Sequence, residues 1–206
     1  MKRTLLGLAL ATFTMSTLPA MAGDIVSEWA SIKAPAAPAL KPVTVDAKTT
    51  ALLMLDFMKQ NCGKRPRCVD SLPAMKKLLA AARAAKAPVI YSIIPNSTPA
   101  DVLPDLAPQA GEPHVLSGPD KFLNTDLDKM LKDKGIKTVI TIGTSANGAI
   151  LYTGSGAALR GINVIVPVDG ISSADTYSEQ FSVWQLANGP TFGKRVTITR
   201  ADMVKF

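Results

Sequence analysis

Two hydrophobic rhythms alternate along the chain. Thr50-Ala-Leu-Leu-Met-Leu-Asp56 is apolar without interruption until its closing acid, the pattern of a strand buried on both faces of a sheet. From Val69 to Lys86 the period changes, and Leu72, Met75, Leu78, Leu79 and Ala82 fall on one helical stripe. A second strand follows over Pro88 to Ile94. Residues 95–113 are rich in proline and small side chains and read as irregular. Asn124 or Thr125 is placed to cap a helix that runs through Lys134 and ends at Gly135, and Lys137 to Ile142 is the next β-rich run. Ala146 to Leu159 is helical in tendency despite Gly148, Gly154 and Gly156, and Gly161 closes it ahead of an apolar strand from Asn163 to Val168. Tyr177 to Ala187 predicts a further helix and Arg195 to Thr199 a last strand.

Strands and helices in alternation imply an α/β fold: a doubly wound, mostly parallel β-sheet with helices on both faces, in three layers. The folded domain is expected over residues 44–206. Ahead of it, residues 23–43 include Ala34-Pro-Ala-Ala-Pro-Ala-Leu-Lys-Pro-Val43 and read as an extended lead-in.

Residues 1–22 have a different character. Met1-Lys2-Arg3 precedes an apolar stretch from Leu5 to Phe13, and Ala20-Met21-Ala22 stands before Gly23. A charged start, a short apolar run and an A-x-A site together describe a Sec-type signal peptide cleaved near Ala22-Gly23, with an uncleaved anchor as the alternative. The run falls short of the roughly 20 apolar residues that a membrane span needs, and no later segment supplies them. The expected location is therefore the periplasm or the exterior, with no membrane association after cleavage.

Charge narrows the partners. Loss of Lys2 and Arg3 takes the formal charge from +7 to +5, and the remaining basic residues are dispersed apart from Lys64-Arg65-Pro66-Arg67 and Lys129 to Lys137. Such a distribution describes a soluble basic protein and gives nucleic-acid binding little support. Cys62 and Cys68, the two cysteines, enclose Gly63-Lys64-Arg65-Pro66-Arg67. In an oxidising compartment they predict a local disulfide, the alternative being a reactive Cys62 thiol activated by its cationic neighbours. Two cysteines and one distant histidine, His114, do not make a zinc set, and His114 is expected at the surface or a pocket rim. No metal or other cofactor is implied.

In a doubly wound sheet, ligands bind beyond the carboxyl ends of the strands. Three places there carry candidate chemistry: Asp56, the turn Gly143-Thr144-Ser145-Ala146-Asn147-Gly148-Ala149, and Asp169. Asp56 either bonds loop amides or sits in a pocket. The turn can bring backbone N–H groups close to an anion or oxyanion, but it lacks the spacing of a dinucleotide or P-loop motif. Asn147 either caps the following helix or bonds a ligand carbonyl. Thr144 and Ser145 carry hydroxyls with no histidine nearby in sequence to activate them.

The order of these pieces resembles the isochorismatase-like cysteine hydrolases. The likeness runs from Thr50 to Ala187: a strand ending in Asp56, Phe-Leu-Asn-Thr-Asp-Leu at 122–127, Gly-Ile-Lys-Thr-Val-Ile-Thr-Ile-Gly at 135–143, a small turn, Ala157-Ala-Leu-Arg-Gly161, and Val164-Ile-Val-Pro-Val-Asp169. The resemblance implies a site of an Asp, a Lys and a Cys with an oxyanion hole of two turn amides. The Asp corresponds to Asp56, and the Cys position is taken by Ala149. The family Lys falls near Leu116 or Ser117, leaving its role to Lys121 if that side chain reaches the site. Without a thiol, a thioester route through residue 149 is closed. Related isochorismatases with glycine there are thought to use the Asp as proton donor to a vinyl ether, with water adding directly. Two readings follow: a hydrolase acting on a small polar amide, ester or vinyl ether with Asp56 as general acid or base, Lys121 beside it and substrate held by Thr144, Ser145, Asn147, Gly148 and Ala149, or a catalytically inactive small-molecule binder on the same fold. A homo-oligomer is open to both.

Overall fold

A computed structural model describes residues 23–206; the signal-peptide reading of residues 1–22 lies outside them. The chain divides into one unit ending at Ala36 and another over Ala37–Phe206. In the described part of the first, Asp24 accepts bonds from the Val26 and Ser27 amides, and a single 3-10 turn covers Trp29–Ser31.

The second unit carries the strands β1 (Val43–Thr44), β2 (Thr50–Leu55), β3 (Val89–Ile93), β4 (His114–Leu116), β5 (Thr138–Thr144), β6 (Asn163–Pro167), β7 (Ile171–Ser172), β8 (Val196–Thr199) and β9 (Val204–Lys205). Its α-helices are α1 (Pro66–Ala84), α2 (Leu127–Asp133), α3 (Leu151–Leu159) and α4 (Thr176–Asn188). The main sheet runs β4-β3-β2-β5-β6-β8, with β7 pairing onto the end of β5 and every named pairing parallel. Side chains that alternate along a strand serve opposite layers. Leu52 and Met54 pack with Met75, Leu78, Leu79 and Ala82 of α1. Leu53 and Leu55 pack with Leu127 and Leu131 of α2, Leu151 and Ala157 of α3, and Leu186 of α4. This is the doubly wound three-layer fold expected from the alternation.

Local departures have physical causes. The helix expected from Asn124 or Thr125 begins at Leu127, because Thr125 turns its hydroxyl back to the Lys121 carbonyl (2.5 Å) while accepting the Leu127 amide (3.2 Å). The Ala146–Leu159 segment is not one α-helix: Ala146–Ile150 forms a π-turn before α3. The short strands β1, β4, β7 and β9 went unread because two or three residues carry no period. Val43, in the expected lead-in, pairs with Val204 in β9.

Candidate functional site

The site is assembled where β2 and β5 end side by side. Leu55 pairs with Gly143, and the approach there requires glycine: a Cβ on Gly143 would lie 1.9 Å from the Leu55 carbonyl oxygen, and its φ is +138°. Beyond Leu55 the chain leaves the sheet at Asp56, whose φ of +56° is left-handed, a region that Asp tolerates better than most residues.

Asp56 is buried and bonded on both carboxylate oxygens. Oδ1 accepts from Ser92 Oγ (2.6 Å), Oδ2 accepts from Lys121 Nζ (2.7 Å), and the Asp56 amide donates to Ser92 Oγ (3.1 Å). Ser92 is the β3 partner of Leu55, so the sheet register itself places its hydroxyl. The Lys121 side chain is 0% exposed and donates also to the Gly118 carbonyl (2.7 Å). Its backbone is secured by the Lys121 N–H, which donates to Thr153 Oγ1 of α3 (3.3 Å). Phe122 seats the next residue between Gly156, where a Cβ would crowd its ring at 3.1 Å, and the Arg160 guanidinium, 4.2 Å from the ring centroid. Lys121 thus reaches Asp56, as the sequence left open.

Burial raises the pKa of Asp56 above the ordinary carboxylate value, against the opposing pull of Lys121, the Ser92 hydroxyl and Arg65. The result is a carboxyl that holds its proton at higher pH than a solvated Asp, next to a cation that stabilises the carboxylate once the proton has gone.

The turn side is shaped by backbone. Thr144, fully buried, donates to the Ser172 carbonyl (3.2 Å), and the Thr144–Ser145 peptide is cis. Ser145 Oγ lies over Gly148, where a Cβ would meet it at 2.7 Å. Ala149 is buried, 3% exposed, within the π-turn. Asn147, exposed, does not cap the following helix; it accepts from Ser173 Oγ (2.9 Å) and donates to Ser178 Oγ (3.3 Å), tying the turn to the segment before and into α4. His114 lies exposed on the edge strand β4 and Asp169 accepts the Ala201 amide (2.8 Å) beside Arg200, so both do structural or surface duty. Among the described residues no group of three or more His, Cys, Asp or Glu is arranged to hold a metal.

Cys62 and Cys68 are joined in a disulfide. The loop it closes carries a residue the sequence reading did not single out: Arg65, half-buried, donates from Nη1 to Thr144 Oγ1 (2.5 Å). Two residues on, Arg67 forks onto Glu179, which also accepts the Ser173 amide (3.0 Å). Ser92, Gly118, Thr153 and Arg65 carry no motif, and nothing short of the three-dimensional register would have found them.

A parallel sheet with a buried Asp–Lys pair at the carboxyl end of β2, next to the strand that leads into a tight turn and helix, defines a doubly wound α/β protein. The chain belongs to the isochorismatase family, whose domain model matches residues 50–200. It is 26% identical over 148 residues to a secreted isochorismatase effector, Isc1, of Verticillium dahliae, covering 65% of this chain and 78% of that protein. The fold is similar to a cysteine hydrolase from Pseudomonas syringae pv. phaseolicola (TM-score 0.69, 22% identity, 80% of this chain and 94% of that one). It is also similar to N-carbamoylsarcosine amidase from Thermoplasma acidophilum (TM-score 0.63, 22% identity, 75% and 97%). No helix among the described residues is long and apolar enough to cross a membrane.

Proposed function

We propose that this protein is an exported hydrolase that cleaves a small polar substrate by acid catalysis and direct water attack, with Asp56 as the proton donor, Lys121 as its counter-charge and no covalent intermediate at residue 149. The reading rests on one observation, the buried contact of Lys121 Nζ with Asp56 Oδ2, where the ammonium stabilises the carboxylate left when Asp56 gives up its proton. Isolating two charges from water costs several kcal/mol per ion, which a purely structural role recovers poorly. A vinyl ether suits this arrangement best. The Asp56 proton adds to the terminal vinyl carbon, water adds to the resulting oxocarbenium carbon, and the hemiketal collapses to a ketone and an alcohol. The proton lost by the water returns to Asp56, so nothing is consumed but water. Lys121 stabilises the carboxylate in the interval.

The test is turnover of 2-phenoxyacrylate, phenyl acetate and benzamide by the wild type and Asp56→Asn. Phenol and pyruvate are expected from 2-phenoxyacrylate, falling about 10²–10⁴-fold in the variant. Turnover of benzamide alone would make Asp56 a base acting on an amide. Binding without turnover of any of the three would leave an inactive binder on this fold.

A further inference from the structure

The charges described around Asp56 do not balance. Lys121 is paired with it, and Arg65 is bonded to Thr144, the residue after the Gly143 that pairs with Leu55 just ahead of Asp56. With Asp56 ionised the three groups sum to +1, and with Asp56 protonated to +2. Arg67, on the same loop, has a carboxylate partner in Glu179. Among the described residues Arg65 has none; its guanidinium, with five N–H donors in a planar fork, meets the single hydroxyl of Thr144. Two buried hydroxyls are also without a partner: Ser172 Oγ, on the residue that pairs with Thr144, and Ser117 Oγ, on the residue before the Gly118 carbonyl that accepts from Lys121. A half-buried surplus cation is costly unless something anionic completes it.

The backbone holds Arg65 in place. Pro66 opens α1 at its first position and excludes helical backbone for the residue before it, and Arg65 is extended (φ −119°, ψ 108°). Cys62 and Cys68 then close the loop from both sides, with Cα atoms 5.2 Å apart. The proline and the disulfide thus restrict the backbone from which Arg65 reaches Thr144.

We propose that Arg65 is the substrate-anion receptor: the ligand carries a carboxylate that docks on the Arg65 guanidinium while its reacting group faces Asp56, and the Cys62–Cys68 disulfide is the clamp that positions the receptor. Turnover of that anion rests on the hydrolase reading above, but its binding does not. Docking has a chemical consequence. A carboxylate brought beside Asp56 disfavours a second negative charge there, so the acid keeps its proton until the substrate takes it. Anion binding and readiness for proton transfer are thereby coupled.

The experiment uses benzoate and benzamide as isosteric charged and neutral probes, titrated by NMR into the oxidised protein, into Arg65→Met and Arg65→Lys, and into the double variant Cys62→Ser/Cys68→Ser, with thermal unfolding as the check on folding. Wild type should prefer benzoate. Arg65→Met should lose about tenfold or more in benzoate affinity, the value of one charge-assisted hydrogen bond, with benzamide affinity unchanged. Arg65→Lys should recover part of the loss, because an ammonium supplies charge without the fork. The double cysteine variant should fall between wild type and Arg65→Met. Wild-type indifference to benzoate, or full benzoate affinity in folded Arg65→Met, would overturn the receptor; full affinity in the double cysteine variant would overturn the clamp. If benzoate binds through Arg65 while 2-phenoxyacrylate is never turned over, the hydrolase reading fails and the receptor stands.

Discussion

The two halves of the site are built differently. The strand-end half, Asp56 with Ser92 and Lys121, is made of buried side chains whose bonds to the Asp56 carboxyl are charge-assisted. The turn half, Thr144 to Ala149, is made of small residues, and what it offers is backbone geometry. The turn carries no thiol: residue 149 is alanine. The charged half is costly to keep: a buried pair with no task is readily replaced by apolar residues, often with a gain in stability. The turn half is cheap to keep, because it does structural work as the link between β5 and α3. Retention of the costly half without the nucleophile points to chemistry that needs a proton donor and water rather than a covalent intermediate.

The largest expected effect comes from breaking the charged half. Lys121→Met leaves the Asp56 carboxyl buried without its main counter-charge, and loss of one partner of a buried pair costs about 3–5 kcal/mol. Lys121 lowers the Asp56 pKa, so its removal raises the folded-state value further above that of the unfolded chain. A raised folded pKa stabilises the protein below the unfolded pKa, and that stability is lost as pH rises through the folded value. The variant should therefore unfold at a Tm near the wild type's in mild acid and progressively below it toward neutrality, as thermal scans at several pH values will read.

Opening the Cys62–Cys68 loop ranks next. Closing so short a loop is worth about 2 kcal/mol, and about 2–4 °C of Tm per kcal/mol in a chain of this size puts the loss from Cys62→Ser/Cys68→Ser at several degrees. Differential scanning calorimetry with and without reductant measures it.

A smaller effect sharpens the comparison from the turn side. Ala149→Cys places a thiol just before α3, where the helix N-terminus lowers thiol pKa and Asp56 can act as its base. Its rate with iodoacetamide should exceed that of free cysteine by about tenfold, a shift of about one pKa unit toward thiolate. The advantage should vanish when Asp56→Asn is added. The native cysteines are protected by their disulfide, so the new thiol can be followed alone. A rate indifferent to Asp56 would mean that the two halves do not share a pocket.

Much of this architecture was legible in the chain. The uninterrupted run Thr50–Leu55 and the stripe Leu72 to Ala82 read as strand and helix, because burial on two faces and on one stripe leave distinct periods. Asp56 and the Gly143–Ala149 turn were recognisable as strand-end features, and Lys121 was in view as the residue with the right charge a few places from the expected position. What the chain concealed was register. That Leu55 pairs with both Ser92 and Gly143 determines which hydroxyl meets Asp56 and which turn faces it, and pairing between strands is not written in either strand alone. Arg65 was hidden for a similar reason: inside a basic cluster it reads as surface charge until the partner of Arg67 and the lack of one for Arg65 are both seen. Asp169, an acid at a strand end, has its bonds to Ala201 and Arg200.

The most direct test of the central claim, that Asp56 acts as a protonated acid, is the pH dependence of kcat/KM for 2-phenoxyacrylate, with the Asp56→Asn rate subtracted at each pH to remove hydrolysis by solvent acid. Because burial raises the Asp56 pKa, the protonated form persists above the usual carboxylate range. The account predicts full activity on the acid side and a one-proton decline as pH rises through that raised value. A rate that instead climbs with pH over the same interval would show that the ionised carboxylate is the working form, and would contradict the account.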